Sequence, residues 1–284
     1  VIAAAIGKFD ALHVGHRALA AAAAELGAPR LVRFTGMAEV LGWAPRAPLL
    51  DGPGRTAALA AWSADLGSVV GELELPFAEV RGLDLGGFLE RLAALDVGAV
   101  AVGEDFHGGR DRRQNAGDLA RLARGRGMGC AVVPAVVVDG LPASSSRVRE
   151  RLEAGDAAAA ARILGRPYRL AGTVVRGDGR GRRLGIPTAN LGGIATLVPA
   201  TGVYAATVAL ADGPRPAVVN IGRLPTVGQD RPLTVEAHLP GWSGDLYGQR
   251  IAVDLQRRLR DERRFPDLDA LVAQIRADIA DLER

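Results

Sequence analysis

The spacing of apolar residues changes character once, at Leu164-Gly165-Arg166-Pro167, and this change limits the fold more than any other feature of the chain. Before it, Ile2–Ile6, Arg30–Thr35, Val69–Leu75, Ala99–Val102 and Ala131–Val138 read as buried strands. Between them Gly15–Gly27, Thr56–Leu66, Phe88–Leu95 and Gly117–Arg126 read as helices, with Ser145–Glu153 and Ala157–Leu164 as two more. Strands alternating with helices favour parallel pairing in a doubly wound α/β sheet. After the break, Tyr168–Arg176, Val203–Leu210, Ala217–Ile221, Leu233–Leu239 and Ile251–Leu259 are short strand candidates punctuated by Gly and Pro. That pattern favours a small antiparallel β-barrel. A C-terminal helix follows, with Leu268, Leu271, Ile275, Ile279 and Leu282 at helical spacing. Two domains are expected, 1–165 and 166–284.

Composition removes several classes of function. The 284 residues suffice for two cores. The longest apolar stretches, Ala18–Leu26 and Cys130–Val138, fall short of the roughly 18 residues a spanning helix needs. No membrane partner is expected. Cys130 is the sole cysteine, which excludes an intrachain disulfide and favours a reducing compartment. With four histidines besides, a structural zinc site is not expected. Lys8 is the sole lysine, so 34 of the 35 basic residues are arginine, and the net charge is only +3. No nucleic-acid partner is expected, since binding needs basic residues gathered on one face. The expected location is cytoplasmic, or the plastid stroma if a targeting segment has been removed before Val1. Oligomerisation is left open.

Two segments carry chemistry. Gly7-Lys8-Phe9-Asp10-Ala11-Leu12-His13-Val14-Gly15-His16 follows a strand and opens a helix, where free backbone N–H groups and the helix dipole favour anions. Two imidazoles three residues apart, with Gly15 between them, suit attack at an α-phosphorus, where charge builds on phosphate oxygens. Histidines at a helix start can also be mere caps. The second segment runs from Gly172 to Gly185 and ends in Ile186-Pro187-Thr188-Ala189-Asn190. Its glycines could simply build turns. It is no Walker A loop, because the only lysine lies near the other end of the chain, and it misses Gly-x-Gly-x-x-Gly.

The first segment resembles the flavin-specific nucleotidyltransferase signature Gly-x-Phe-Asp-x-x-His-x-Gly-His of the prokaryotic-type bifunctional riboflavin kinase/FMN adenylyltransferases. The resemblance implies a Rossmann-like nucleotidyltransferase domain followed by a flavokinase barrel of six strands. It implies His13 and His16 as catalytic groups, with Gly7, Phe9, Asp10 and Gly15 also at ATP. Val102-Gly103-Glu104-Asp105-Phe106 matches the family's strand-end motif, with Asp105 at ATP. Ser144–Arg149 resembles Ser-Ser-Thr-x-x-Arg, which places Ser145, Ser146 and Arg149 on triphosphate oxygens. Two departures stand out. Phe34-Thr35-Gly36-Met37-Ala38-Glu39 lacks the histidine of Phe-x-Pro-His-Pro, and Glu39–Trp43 instead resembles relatives of the photosynthetic lineage. Phe106-His107-Gly108-Gly109 lacks the second aromatic of Phe-x-Phe-Gly.

The second segment resembles the riboflavin-kinase flap and its Pro-Thr-Ala-Asn motif. This implies an ATP site at Gly177, Gly179, Gly181, Arg182, Gly185, Pro187, Thr188 and Asn190. Thr188 and Asn190 supply hard oxygens suited to the Mg²⁺ that accompanies ATP. Asn220-Ile221-Gly222 and Pro225-Thr226 follow in the family's order. Glu236 then matches the catalytic glutamate, the base for the riboflavin 5′-hydroxyl. Asn220, Tyr247, Arg260 and Phe265 match flavin positions, though Tyr247 and Phe265 could be core aromatics. The partners implied are riboflavin, FMN, FAD and ATP. A rival reading keeps only FMN adenylylation, with the barrel as a binding or oligomerising module. Another is a silent flavin sensor or RNA-binding protein.

Overall fold

A computed structural model describes every residue except 178, 180, 182–184, 224–232 and 284. Its first half forms a five-stranded parallel sheet of β1 (Ile2–Ile6), β2 (Ala28–Thr35), β3 (Gly71–Pro76), β4 (Val97–Gly103) and β7 (Gly129–Val133), in the order β3-β2-β1-β4-β7. The linking helices are α1 (Val14–Leu26), α2 (Met37–Leu41), α3 (Gly52–Leu66), α4 (Phe77–Val80), α5 (Leu85–Ala93) and α6 (Ala116–Gly125). Two faces of the sheet are packed differently. Ala4, Ile6, Val100 and Val102 join Phe88, Leu89 and Leu92 of α5 and Leu119 and Ala123 of α6 in one apolar core. The alternate residues Ala3, Ala5, Ala99 and Ala101 are small and fully buried, and α1 packs against β1, β2 and β4. Small side chains let that helix come close to the strands, and because it follows β1 directly its N-terminus lies at the carboxyl end of that strand. The strand order reverses between β1 and β4, the position where open α/β sheets bind ligands.

Several expectations are corrected here. The run Ala131–Val138 is not one strand. β7 stops at Val133 because Pro134 has no N–H for the ladder. Val137–Val138 (β8) turns back on Leu141–Pro142 (β9) through Asp139 and Gly140, both at positive φ as a tight hairpin requires. Helices α2 and α4 and the short pair β5 (His107–Gly108) and β6 (Gln114–Asn115) were not expected.

The second half is a closed barrel of β10 (Tyr168–Val175), β11 (Ala189–Gly192), β12 (Gly202–Leu210), β13 (Gly213–Arg223), β14 (Leu233–His238) and β15 (Arg250–Arg260). Its neighbours are all antiparallel, in the order β10-β11-β14-β13-β12-β15. Strand β11, which holds Ala189 and Asn190 of the Pro-Thr-Ala-Asn motif, was not expected as a strand. Helix α9 (Leu268–Ala280) closes the chain. Its fully buried side chain is Asp278, whereas Leu268, expected on the apolar stripe, is 61% exposed.

By packing, the chain forms two compact units: Val1–Arg46 with Gly52–Ser145, and Ala47–Asp51 with Ser146–Arg284. Helices α7 (Ser145–Glu153) and α8 (Ala157–Leu164) therefore count with the barrel, apart from Ser145 itself. Helix α8 buries Ala160, Ile163 and Leu164 and packs on β10 and β15. Residue 165 marks where the sequence period changes, and Ser146 where the packing partner does.

Candidate active sites

Beyond β1 the chain makes a strained loop. Phe9 and Leu12 lie at φ 46° and 49°, in the left-handed region that costs a non-glycine residue about 1–2 kcal/mol. Both side chains are fully buried, and their apolar burial offsets that cost. Arg55 clamps the loop: its Nη1–H donates to the Phe9 carbonyl at 2.7 Å, and its Nε–H to Glu72 at 2.7 Å. His13 is the N-cap of α1, its Nδ1 accepting the His16 N–H at 3.4 Å. The two imidazoles stack with ring centroids 3.7 Å apart, and Phe9 packs on His16 at 4.8 Å. A Cβ on Gly15 would come within 3.1 Å of the His13 ring, and one on Gly7 within 3.2 Å of Phe9. The expected pair of imidazoles is thus assembled beside the free N–H groups of a helix start, an arrangement that stabilises phosphate anions.

Asp105 follows β4, the parallel neighbour of β1, so it shares the carboxyl edge with this loop. Its Oδ1 folds back over Gly103 so closely that a Cβ there would lie 2.7 Å away. Asp10 is exposed. Ser145 opens α7, Ser146 follows, and Arg149 donates to the Ala47 carbonyl at 2.9 Å.

Next to the loop is a cavity of about 400 Å³ that sequence reasoning did not foresee. Lys8 and Asp10 line it from the loop, and Phe34, Met37, Glu39 and Trp43 from β2 and the region of α2. The region that departs from Phe-x-Pro-His-Pro is therefore a cavity wall.

In the barrel, register assembles the site. Asn190, Glu236 and Asn220 are direct partners across β11, β14 and β13. Their neighbours Val235, Ala237, Val219 and Ile221 point into the core, so the three polar side chains form one row on the outer face. Each is half-buried. The Thr188 hydroxyl donates to Glu236 Oε2 at 3.3 Å. Pro187 is held by His238, a buried residue outside the expected set, whose Nδ1–H donates to the Pro187 carbonyl at 2.8 Å. The glycines come close: a Cβ on Gly177 would meet the Asn190 amide at 2.5 Å, and one on Gly181 the Ile186 carbonyl at 2.3 Å. Gly179 and Gly185 adopt positive φ. Arg182, Pro225 and Thr226 lie outside the described residues.

A second cavity, about 340 Å³, opens beside Thr188, with Val174, Leu239, Trp242, Leu246 and Tyr247 in its wall. Of the four expected flavin residues, Tyr247 lines this cavity and Asn220 adjoins Glu236. Arg260 is committed elsewhere, donating from Nε and Nη2 to buried Asp278 at 2.8–3.1 Å. Phe265 lies under Arg260 and Arg263, at 5.7 and 5.0 Å. Thr188, Asn190 and Glu236 offer hydroxyl, amide and carboxylate oxygens, a donor set that fits Mg²⁺. Among the described residues there is no cluster of three His, Cys, Asp or Glu side chains arranged for a metal.

Sequence reasoning missed Arg55, Glu72 and His238. None belongs to a motif, and only long-range hydrogen bonds reveal them.

Residues 164–284 match the family model described as riboflavin kinase. A bifunctional riboflavin kinase/FMN adenylyltransferase of Pseudomonas fluorescens is 38% identical, over 98% of this chain and 90% of its own. That of Haemophilus influenzae is 32% identical over 96% and 91%. A chloroplastic FAD synthetase of Arabidopsis thaliana is 36% identical over 71% of this chain and 62% of its own. Among solved structures, one described as a macrolide-efflux protein from Streptococcus pneumoniae superposes with a TM-score of 0.86, at 25% identity, over 100% of this chain and 94% of its own. Among the described residues of this chain, no helix is long and apolar enough to cross a membrane. With near-complete coverage of such relatives, the chain belongs to the bifunctional riboflavin kinase/FMN adenylyltransferase family, enzymes of flavin-cofactor synthesis.

Proposed function

We propose that this chain uses ATP to phosphorylate riboflavin to FMN and to adenylylate FMN to FAD, at two separate sites. The observation that carries the bifunctional reading is the row Asn190–Glu236–Asn220 with Thr188 bonded to Glu236. A barrel kept only as a binding module would have no need for it. In the kinase reaction Glu236 takes the proton of the riboflavin 5′-hydroxyl, that oxygen bonds to the γ-phosphorus, and ADP leaves. Thr188 and Asn190 would hold Mg²⁺ together with ATP phosphates, and Gly177 and Gly181 bring backbone close to them. The cavity beside Thr188 suits the nucleoside attached to those phosphates, which puts Tyr247 on the nucleotide side. Riboflavin then lies on the Asn220 side of Glu236.

In the second reaction the FMN phosphate attacks the α-phosphorus of ATP and pyrophosphate leaves. His13, His16 and the start of α1 neutralise the charge that develops there. By resemblance Asp10 and Asp105 contact ATP, and Ser145, Ser146 and Arg149 its triphosphate. Having only Cys130 for a thiol fits a reducing compartment, either cytoplasm or plastid stroma. The test is a paired assay with ATP and Mg²⁺, supplying riboflavin in one arm and FMN in the other. FMN and then FAD are expected from riboflavin, and FAD from FMN. FAD from FMN but no product from riboflavin would leave the adenylyltransferase alone.

A further inference from the structure

The cavity at the β1–β2 edge has a charge pattern that the adenylyl-transfer reading leaves unexplained. Two carboxylates, Asp10 and Glu39, line it, and Lys8 is the only cation among its lining residues. Neither imidazole nor Gly15 is among its lining residues. Its aromatic walls are Phe34 and Trp43, and Trp43 is 49% exposed, an unusual position for so large an apolar ring. The Lys8 ammonium lies over the Trp43 ring, 4.7 Å from its centroid. In a chain that is otherwise arginine throughout, the one lysine stands here. Lysine differs from arginine in carrying a compact point charge on a flexible stem, suited to moving between partners.

We infer that Lys8 and Trp43 form a clasp that recognises FMN: the isoalloxazine ring stacks on Trp43, displacing the ammonium, and Lys8 pairs with the FMN phosphate. This rests on the adenylyl-transfer reading and adds the residues that select its flavin substrate. An exposed cation–π contact is weak enough to exchange for a charge-assisted bond to phosphate. Lys8 is placed for the task, because it lines the cavity and belongs to the same loop as His13, which leads into α1. Without Lys8, Asp10 and Glu39 would present only negative charge to a phosphate dianion. The cation therefore decides whether a phosphorylated flavin enters.

The test is steady-state adenylylation by the full chain, with FMN and ATP varied separately for wild type, Lys8→Gln, Lys8→Arg, Trp43→Ala and Trp43→Phe. Lys8→Gln should raise KM for FMN roughly tenfold or more while KM for ATP stays within about twofold. Lys8→Arg should recover part of the loss. Trp43→Ala should also raise KM for FMN, and Trp43→Phe much less. Lumiflavin, which has the ring but neither phosphate nor ribityl hydroxyl, should inhibit wild type and Lys8→Gln equally and Trp43→Ala less. Phosphorylation of riboflavin by the same preparations should be unchanged, which verifies folding. A rise in KM for ATP, or a fall in kcat with KM for FMN unchanged, overturns the clasp and leaves the adenylyltransferase standing. Wild-type protein that makes no FAD from FMN overturns both.

Discussion

The two candidate sites are built by different physical means. In the sheet, the strands are buried on both faces, so their chemistry is confined to loops beyond the carboxyl ends. The loop there is strained, with buried Phe9 and Leu12 in left-handed conformations under the Arg55 clamp. In the barrel the candidate residues stand on the strands themselves. Closure leaves no sheet edge, and regular register sets Asn190, Glu236 and Asn220 side by side on the outer face. One site depends on a loop held against its own preferences, the other on side chains that need only an ordinary ladder. Disturbing support residues should therefore harm the first site more than the second.

The largest effect that would break this comparison is on the bases and charge stabilisers. Glu236→Gln should lower FMN formation from riboflavin by about 10²–10⁴-fold and leave adenylylation of supplied FMN intact, as separated by chromatography of the products. His16→Ala should do the reverse, lowering FAD formation by about 10²–10³-fold with riboflavin phosphorylation unaffected. Equal damage to both activities by either change would mean that the two sites are not independent.

Support residues sharpen the contrast. Arg55→Met removes the donor to the Phe9 carbonyl and leaves that buried loop unclamped. Adenylylation should fall about tenfold, with a loss of about 1–3 kcal/mol seen as a lower urea midpoint, while the kinase rate holds. The smallest change is expected for Gly177→Ala, whose new methyl would press on the Asn190 amide. Kinase KM for ATP should rise roughly threefold to tenfold, and adenylylation should not change. If Gly177→Ala proved more harmful than Arg55→Met, the barrel site would be the more delicate of the two.

Legibility in the sequence followed locality. The loop Gly7–His16 could be read because its chemistry lies within ten consecutive residues. Asn190, Glu236 and Asn220 could be picked out singly, but their row exists only through pairing of β11, β14 and β13. The cavity beside Lys8 escaped notice because its walls come from two segments, one shaped by the brief helix α2 between left-handed Gly36 and Gly42. The break within Ala131–Val138 is legible too, since Pro134 has no N–H for the ladder. On the last helix Leu271, Ile275, Ile279 and Leu282 of the expected apolar stripe are half-buried, Leu268 is exposed, and Asp278 is buried against Arg260.

By itself the sequence determined the two kinds of architecture, the two candidate segments and the order of their motifs, because hydrophobic period and short-range spacing are local properties. Only the tertiary structure decided that Arg55 clamps Phe9, that His238 holds Pro187, that Thr188 reaches Glu236 and that Lys8 lies over Trp43. Those contacts join residues 35 to 51 positions apart, and strand register, helix packing and loop closure, none of them local, bring such residues within bonding distance.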